Sequence, residues 1–469
     1  RNRRGESMKI KSIPSKWLES NGCRLDCGPY MSGAFEARMA IAALIAKKTS
    51  LADLTEGGLS GIFKGKMIKR IFVHDKNHGV PFLNTSDMLE SDLTHVPRIP
   101  KKIADTDSDC YLKPETILIS AAGKIGRTVF AREDMAGMFA CSDIMKVIPD
   151  ADKIPSGYLY AFLSSDFGVP LVTAGTFGSI ILHIEPSDLA GIQVPRFSPQ
   201  FEGDVDALIK RSSKLRTDAV NLVNESRARF DTFGDGILQE RQEYPIISTV
   251  SSKNIIGRLE AAYHDPTAET IADRITKGRH KYVRDLCKEV SLPGIFKRIY
   301  IEDVEHGAPY YSGGAIFWLE PVHKEILSRK TSLFEDVQIR NGTILIQAFG
   351  QKGGLIGRVA WVGKHLDTAC TTHMLVRVIA KDESLPGYLF AYLSSDIGYA
   401  QIIRLPFGGS IPHFTEGQIA NLPVPLFDDE KINEINANVL KAMAFRDEAL
   451  QLELDARRMI SQAILGGGR

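Results

Sequence analysis

The sequence has no long hydrophobic run. Its longest, Met39 to Ala46, is far short of a bilayer span and is followed by Lys47 and Lys48, which argues against a transmembrane helix and fits one buried element. Nor is there an excess of one charge. The 58 Lys and Arg face 57 Asp and Glu, a formal net charge of +1, so nothing global favours nucleic acid and any basic site must be a local patch. Cysteine is sparse. Cys23, Cys27, Cys110, Cys141, Cys287 and Cys370 are scattered too widely for a disulfide framework, and the expectation is a reducing, cytosolic compartment. Cys23 and Cys27 lack a second Cys or His pair at finger-like spacing and read as ordinary thiols. Residues Arg1 to Ser7, ahead of Met8, lack the apolar stretch of a secretory signal, and residues 1–22 are expected to be a leader or N-terminal segment.

What is present is a globular composition, 43% hydrophobic and 25% charged over 469 residues, enough for two or three domains. The chain also repeats itself. Gly157-Tyr-Leu-Tyr-Ala-Phe-Leu-Ser-Ser-Asp-Phe-Gly168 returns as Gly387-Tyr-Leu-Phe-Ala-Tyr-Leu-Ser-Ser-Asp-Ile-Gly398, every difference an exchange between large apolar residues. A similar offset relates Gly61-Ile-Phe-Lys64 to Gly294-Ile-Phe-Lys297, and His78-Gly-Val-Pro-Phe82 to His306-Gly-Ala-Pro-Tyr310. It also relates Thr116-Ile-Leu-Ile119 to Thr343-Ile-Leu-Ile346, and Gly178-Ser-Ile180 to Gly409-Ser-Ile411. A period near half the chain is too long for a solenoid or propeller and predicts a duplicated domain.

Each copy reads as mixed α and β. Thr116–Ser120 with Arg127–Ala131, and Thr343–Gln347 with Arg358–Val362, have the pattern of hairpins around Gly-rich turns. Tyr158, Leu159, Phe162 and Leu163 fall on one face of a short helix that Gly168 can terminate. After each copy the sequence becomes charged and poor in Gly and Pro. One long helix is predicted from Pro199 toward Gly234, with Val205, Leu208, Leu215, Ala219 and Leu222 at heptad spacing interrupted by Ser212. A second runs from Asp428-Asp-Glu430 to Gly466, with Ala442, Phe445, Ala449, Leu452, Ala456, Met459 and Ala463 as its seam. The expected fold class is α+β: two similar mixed domains, 23–197 and 246–427, joined and held apart by two long antiparallel helices within 198–245 and 428–466.

Catalytic patterns are missing. Gly350-Gln-Lys-Gly353-Gly354-Leu-Ile-Gly357 lacks the closing Lys-Ser/Thr of a phosphate loop and sits in a hairpin turn. Asn421-Leu-Pro-Val-Pro425 is a poor match to an amino-methyltransferase tetrapeptide, and Asp150, Asp152 and Lys153 lack an acidic partner. His183, His264, His306 and His413 show no obvious carboxylate or nucleophile partner, and His78 and His306 precede turns where a structural hydrogen bond suffices. What recurs is cationic residues in turns. The first copy carries Lys64, Lys66, Lys69 and Arg70, then Lys124 and Arg127; the second carries Arg274, Lys277, Arg279, Lys281 and Arg284, then Lys297 and Arg298, then Lys352 and Arg358. Their return on corresponding elements favours a phosphate-contacting surface over solvated faces. No catalytic residue and no metal ligand is assigned.

With these motifs in place, the sequence resembles the specificity (S) subunit of a type I restriction-modification system, over nearly the whole chain after about residue 22. Arg24-Leu-Asp26 with Tyr30, and Arg258-Leu-Glu-Ala-Ala-Tyr263-His-Asp-Pro266, match the openings of its two target-recognition domains. Val80-Pro-Phe-Leu83 leading to Ser86-Asp87, Lys113-Pro-Glu-Thr-Ile-Leu118 and Arg340-Asn-Gly-Thr-Ile-Leu345 also match. The Gly-Ser segments then lead into Val194-Pro195 and Leu422-Pro-Val-Pro425. The entry to the helical spacers departs from the usual Pro-Pro-Leu-x-Glu-Gln.

The resemblance implies a non-catalytic, DNA-reading chain that recognises a bipartite asymmetric target on double-stranded DNA. It also implies two modification subunits carrying S-adenosylmethionine and restriction subunits using ATP, with no cofactor on this chain and no membrane partner. The candidate DNA-binding residues are Lys64, Lys66, Lys69, Arg70, Lys124, Arg127 and Ser179 in one copy, and Arg279, Lys281, Lys297, Arg298, Lys352, Arg358 and Ser410 in the other. The alternative reading is the recognition half of a nuclease or methyltransferase with intrinsic activity; a scaffold binding only protein is disfavoured by the repeated cationic turns.

Overall fold

The computed structural model describes residues 10–20, 23, 25, 27–75, 77–174, 183–236, 247, 249–255 and 257–467. It is a mixed α/β structure with long helices at Pro199–Ala228 and Asp429–Leu465. None of the described helices is long and apolar enough to cross a membrane. The chain divides into two compact units, one of residues 1–217 with 449–469 and the other of 218–448. The division falls inside both long helices, so each contributes one segment to each unit.

In the first unit, β1 (Lys47–Ser50) pairs antiparallel with β9 (Gln193–Arg196) as a two-stranded ribbon. A four-stranded sheet has the order β2 (Ile62–Lys64), β8 (Ile144–Val147), β5 (Ile117–Ser120), β6 (Thr128–Phe130). A three-stranded one has β4 (Arg98–Pro100), β3 (Gly79–Leu83) and β7 (Phe139–Ala140), with β3 and β7 parallel. In the second unit the ribbon is β10 (His280–Tyr282) with β19 (Pro423–Pro425). The four-stranded sheet there is β11 (Cys287–Ser291), β18 (Leu375–Ala380), β15 (Ile344–Gln347), β16 (Val359–Trp361). The other sheet is β12 (Tyr300–Ile301), β14 (Glu325–Ser328), β13 (Gly307–Tyr311), β17 (Cys370–Thr371), with β13 and β17 parallel. The strand order is the same in both units apart from β12, whose place in the first unit is held by a single bridge from Val73 to Arg98.

The central strands are buried on both faces, and their alternate residues point to opposite sides of the sheet. Ile117, Ile119, Met145 and Val147 join Tyr158, Leu159, Phe162 and Leu163 in one core with Val205, Ile209, Ala456 and Ile460 of the long helices. Ile344, Ile346, Val376 and Val378 join Tyr388, Leu389, Tyr392 and Leu393 with Ala219, Val223, Phe230, Val439 and Ala442. Each such aliphatic side chain, fully withdrawn from water, contributes roughly 1.5–3 kcal/mol.

The repeated dodecapeptide is explained by what its ends must approach. A Cβ on Gly157 would meet Asp206 Oδ1 at 2.8 Å, and one on Gly387 would meet the Asn436 carbonyl at 2.5 Å, so only glycine lets these helices lie against the long ones. The same approach is fixed by Gly157 N–H to Asp206 Oδ1 (2.7 Å) and Gly387 N–H to Asn436 Oδ1 (2.8 Å). The two tyrosines that follow donate to corresponding carbonyls, Tyr158 to Pro195 and Tyr388 to Pro425. Gly168 does not terminate its helix. Ser156–Leu163 ends five residues earlier, and Gly168 opens the next helix, Gly168–Thr173, its N–H held by Ser165 Oγ at 3.1 Å. Here a Cβ would lie 2.0 Å from the Phe162 carbonyl, which is why a glycine stands there.

The seam of the first long helix differs from the apolar reading of the sequence. Its buried seam runs through Glu202, Val205, Ile209, Ser212, Arg216, Ala219, Val223 and Ser226 in alternating steps of three and four, with Arg227 buried beside it and Phe230 continuing the pattern just past the helix end. Leu208, Leu215 and Leu222 are half-buried beside it. In the second long helix Ala442, Ala449 and Ala456 are on the buried seam as expected, but Ile435, Val439, Glu453 and Ile460 complete it, and Phe445, Leu452, Met459 and Ala463 flank it. Polar residues occupy seam positions because they satisfy one another. Ser212 Oγ donates to the Ala449 carbonyl (2.8 Å) and to Glu453 Oε1 (2.9 Å), and Arg216 Nε donates to Glu453 Oε1 at 3.0 Å. Burial by itself would raise the Glu453 carboxyl, but Arg216 and Arg457 beside it hold it below the usual carboxylate range.

Candidate nucleic-acid interface

In the first unit the turn between β5 and β6 is closed by Ser120, whose Oγ donates to the Lys124 carbonyl and accepts from Arg127 N–H at 3.0 Å. Gly126 is left-handed (φ 82°) and packs where a Cβ would strike Thr173 at 2.6 Å, so the turn is seated on the helix that Gly168 opens. Ala122 bridges His183, and Ile184 N–H reaches the Ala121 carbonyl at 3.1 Å. This sets the segment after the first Gly-Ser motif beside the turn. Ser179, Gly178, Arg24 and Asp26 lie outside the described residues. Lys124 is exposed and Arg127 half-buried.

Lys64 is occupied differently. Its ammonium pairs with Glu185 at 2.6 Å and ties β2 to the segment after His183, so it braces the fold beside the turn. Lys66 and Lys69 are exposed, and the Lys66 backbone N–H donates to Asp107 at 2.6 Å. Arg70 lies 3.5 Å from Asp143, with its guanidinium 5.9 Å from the centre of the Phe82 ring.

The second unit repeats the arrangement with different residues. Gly350 N–H donates to the Pro412 carbonyl (3.1 Å), Gln351 Nε2 to the Ser410 carbonyl (2.9 Å), and Phe349 bridges His413. The hairpin turn and the second Gly-Ser loop are thereby brought together. Lys352 and Ser410 are exposed, and half-buried Arg358 folds its Nε onto the Gly354 carbonyl at 3.1 Å. Arg279 and Lys281 sit elsewhere, on the β10–β19 ribbon, where Arg279 bonds the Phe427 carbonyl and Asp429 at the start of the second long helix. Lys297 is exposed, and Arg298 donates from Nε to the Tyr310 hydroxyl at 2.8 Å.

Two features of this region escape an inspection of sequence. One is a run of neighbouring rings and cations. Arg258 lies 4.4 Å from the Tyr263 ring and 5.5 Å from Phe407, and Arg404 lies 4.7 Å from Tyr263. Phe407 meets His413 (4.4 Å between centroids), which stacks on Phe349 at 5.1 Å and 6°. His373 stands between Phe349 and Phe296, and Arg298 lies over Phe296 at 5.2 Å. Burial, then Arg298 and Arg377, push the His373 imidazole below its ordinary range. Arg258 and Tyr263 were legible only as part of an opening motif, since nothing in their spacing announces contact with residues about 140 positions away.

The second feature concerns histidines. Four of the described histidines have carboxylate partners that spacing did not make obvious: His306 with Asp303 at 2.7 Å, His78 with Asp75 at 2.5 Å, buried His264 with Glu269 at 3.4 Å, and His365 with Asp447 at 3.7 Å. At His78 and His306 the bond closes a local turn, since Asp75 and Asp303 also accept Asn77 and Glu305 N–H groups.

No protein-family model matches the chain, and neither does any curated protein. Among solved structures, it is similar to the type I restriction-modification system S subunit from M. genitalium, at 12% identity over 90% of this chain and 96% of that one, with a TM-score of 0.33. It is also similar to the HsdS subunit from Thermoanaerobacter tengcongensis, at 13% identity over 90% and 97%, with a TM-score of 0.27. A third likeness is to a structure described as the basis of complex assembly and conformational transition of the type I R-M system, at 13% identity over 89% and 97%, TM-score 0.28.

Proposed function

We propose that the chain is the DNA-reading specificity subunit of a type I restriction-modification assembly and carries no catalytic group of its own. The observation that supports the reading best is the doubled construction. Two units with the same strand order each set a cationic hairpin turn beside the segment that follows a Gly-Ser motif. Shared scaffolds with different turn residues suit two domains that read different bases in the major groove, where all four base pairs are distinguishable.

In this reading the units are copies of one target-recognition domain, and the two long helices form the antiparallel spacer that fixes the distance between half-sites. Two modification subunits would supply S-adenosylmethionine, and restriction subunits the ATP-driven cleavage. The chain would act in the cytoplasm on double-stranded DNA.

A gel shift of the full chain on random-sequence duplexes, with a map of methylated adenines in cells carrying and lacking it, tests the proposal. Replacing Lys124 and Arg127, or Lys352 and Arg358, by Ala should weaken duplex binding. Loss of discrimination at one position would mark a base contact, worth about 1–3 kcal/mol, whereas a uniform loss with a shallower salt dependence would mark phosphates. A chain that binds no duplex and changes no methylation would sink the reading; cleavage or methyl transfer by the purified chain alone would replace it with an enzyme.

A further inference from the structure

One surface element recurs in both units and belongs to neither hairpin turn. Lys69-Arg70-Ile71-Phe72-Val73 precedes Asp75 and His78, and Lys297-Arg298-Ile299-Tyr300-Ile301 precedes Asp303 and His306 at the same spacing. The geometry recurs as well. Phe72 lies 6.3 Å from Phe82 at 57°, and Tyr300 lies 5.8 Å from Tyr310 at 58°. Arg70 stands 5.9 Å from the Phe82 ring and Arg298 5.5 Å from the Tyr310 ring. The backbone is pinned from behind: Val73 N–H bonds the Arg98 carbonyl at 2.9 Å, Ser328 N–H bonds the Ile299 carbonyl at 2.8 Å, and Tyr300 pairs with Leu327.

Pinned in this way, the outer residues remain in water. Phe72 is 52% exposed and Tyr300 44%, and their neighbours Ile71 and Ile299 are 41% and 42% exposed. A lid for the inner ring would need only one ring face and no outward isoleucine. An apolar projection flanked by Lys and Arg is instead the chemistry that enters between base pairs while cations hold the adjoining phosphates.

We propose that Phe72 and Tyr300 are wedges, each pressing its ring against a base step of duplex DNA, with Lys69 and Arg70, or Lys297 and Arg298, on the flanking phosphates. The inference rests on the DNA-reading function proposed above. The two wedges are unequal in charge. Asp143 draws on Arg70 in the first unit, whereas Glu302, Asp303 and Glu305 follow Tyr300 in the second, with Asp303 taken by His306. The first wedge should therefore hold DNA more firmly.

The full chain is shifted on random-sequence duplexes and the bound fraction probed with permanganate, which oxidises unstacked thymines. Phe72→Ala and Tyr300→Ala should each lower affinity about tenfold and remove thymine reactivity, more so for Phe72, with unchanged thermal unfolding. Phe72→Gln and Tyr300→Gln keep a side chain over Phe82 and Tyr310 but lose the apolar projection, and should behave like the alanine variants; Phe72→Leu and Tyr300→Leu, like Phe72→Trp and Tyr300→Trp, should keep both readouts. Glutamine variants that bind and unstack like the wild type would overturn the wedge while leaving DNA reading intact, and would point to a protein partner for the exposed rings. Failure of the wild type to shift any duplex removes both readings together.

Discussion

In the middle of each four-stranded sheet a cation is buried at the same register, Lys146 opposite Leu118 in the first unit and Arg377 opposite Leu345 in the second. They find partners by different means. Lys146 donates to Cys110 Sγ at 3.2 Å, and the thiol, raised to about 11 mainly by burial, donates on to Asp107 at 3.4 Å. Arg377 donates to two carbonyls, Leu375 at 2.8 Å and Val337 at 3.4 Å, and burial pushes it down to about 10. The strand order holds the position while the neighbouring segments supply whatever partners they have, the helical turn Asp105–Cys110 in the first unit and, in the second, the same strand together with the short helix Phe334–Val337. The same independence runs outward to the turns, where Ser120 closes one hairpin and Gln351 ties the other to a neighbouring loop.

The largest expected asymmetry comes from the long helices. Glu453 balances Arg216 only within the first unit, so Glu453→Ala leaves a buried guanidinium without its carboxylate and should cost about 3–5 kcal/mol there. Hydrogen exchange at Ile117–Ser120 should accelerate, while exchange at Ile344–Gln347 stays as it was. Equal acceleration of both strands would mean that the units do not unfold separately.

A smaller and sign-changing effect should follow at the buried cations. Arg377→Met strips the Leu375 and Val337 carbonyls of their side-chain donor and should destabilise by about 1–3 kcal/mol. Lys146→Met removes a buried charge whose bonded partner is a thiol, and an apolar replacement of similar length should be neutral or stabilising. Calorimetry of the two variants compares them directly; a loss at Lys146→Met as large as at Arg377→Met would show that the Cys110 contact is worth as much as two carbonyls.

The seam explains which parts of this fold were legible in sequence. Hairpins at Ile117–Phe130 and Ile344–Trp361 announce themselves because β-branched runs around a Gly-rich turn have few other uses. The long helices were visible in extent, but a rule that counts only apolar residues steps from Val205 to Leu208. The buried face instead steps to Ile209 and then through Ser212 and Arg216, whose partner Glu453 lies more than two hundred residues away. The candidate interface divides in the same way. Cations in turns can be read from the chain, whereas Lys64's engagement with Glu185 and the succession of rings from Phe407 to Phe296 depend on contacts that only the folded sheets create.

The subtlest difference between the units should appear in their response to acid. Glu453 has its folded pKa below its unfolded value, so its contribution is complete above about pH 4.3 and is lost as pH falls through the folded pKa. His373 is also depressed, by burial first and then by Arg298 and Arg377, with the apolar rings of Phe296 and Phe349 beside it. For a histidine this means the neutral ring is the favoured form in the fold. Its contribution is present above about pH 6.5 and is withdrawn as pH falls through the folded value, because the unfolded chain takes up the proton first. The second unit should therefore begin to soften as pH falls below about 6.5, where the first is still unchanged. Thermal unfolding over that range, in the wild type and in His373→Gln, isolates the effect from the other histidines: the variant should show the shallower slope. Identical slopes in the two proteins would assign the acid response of the second unit to another group.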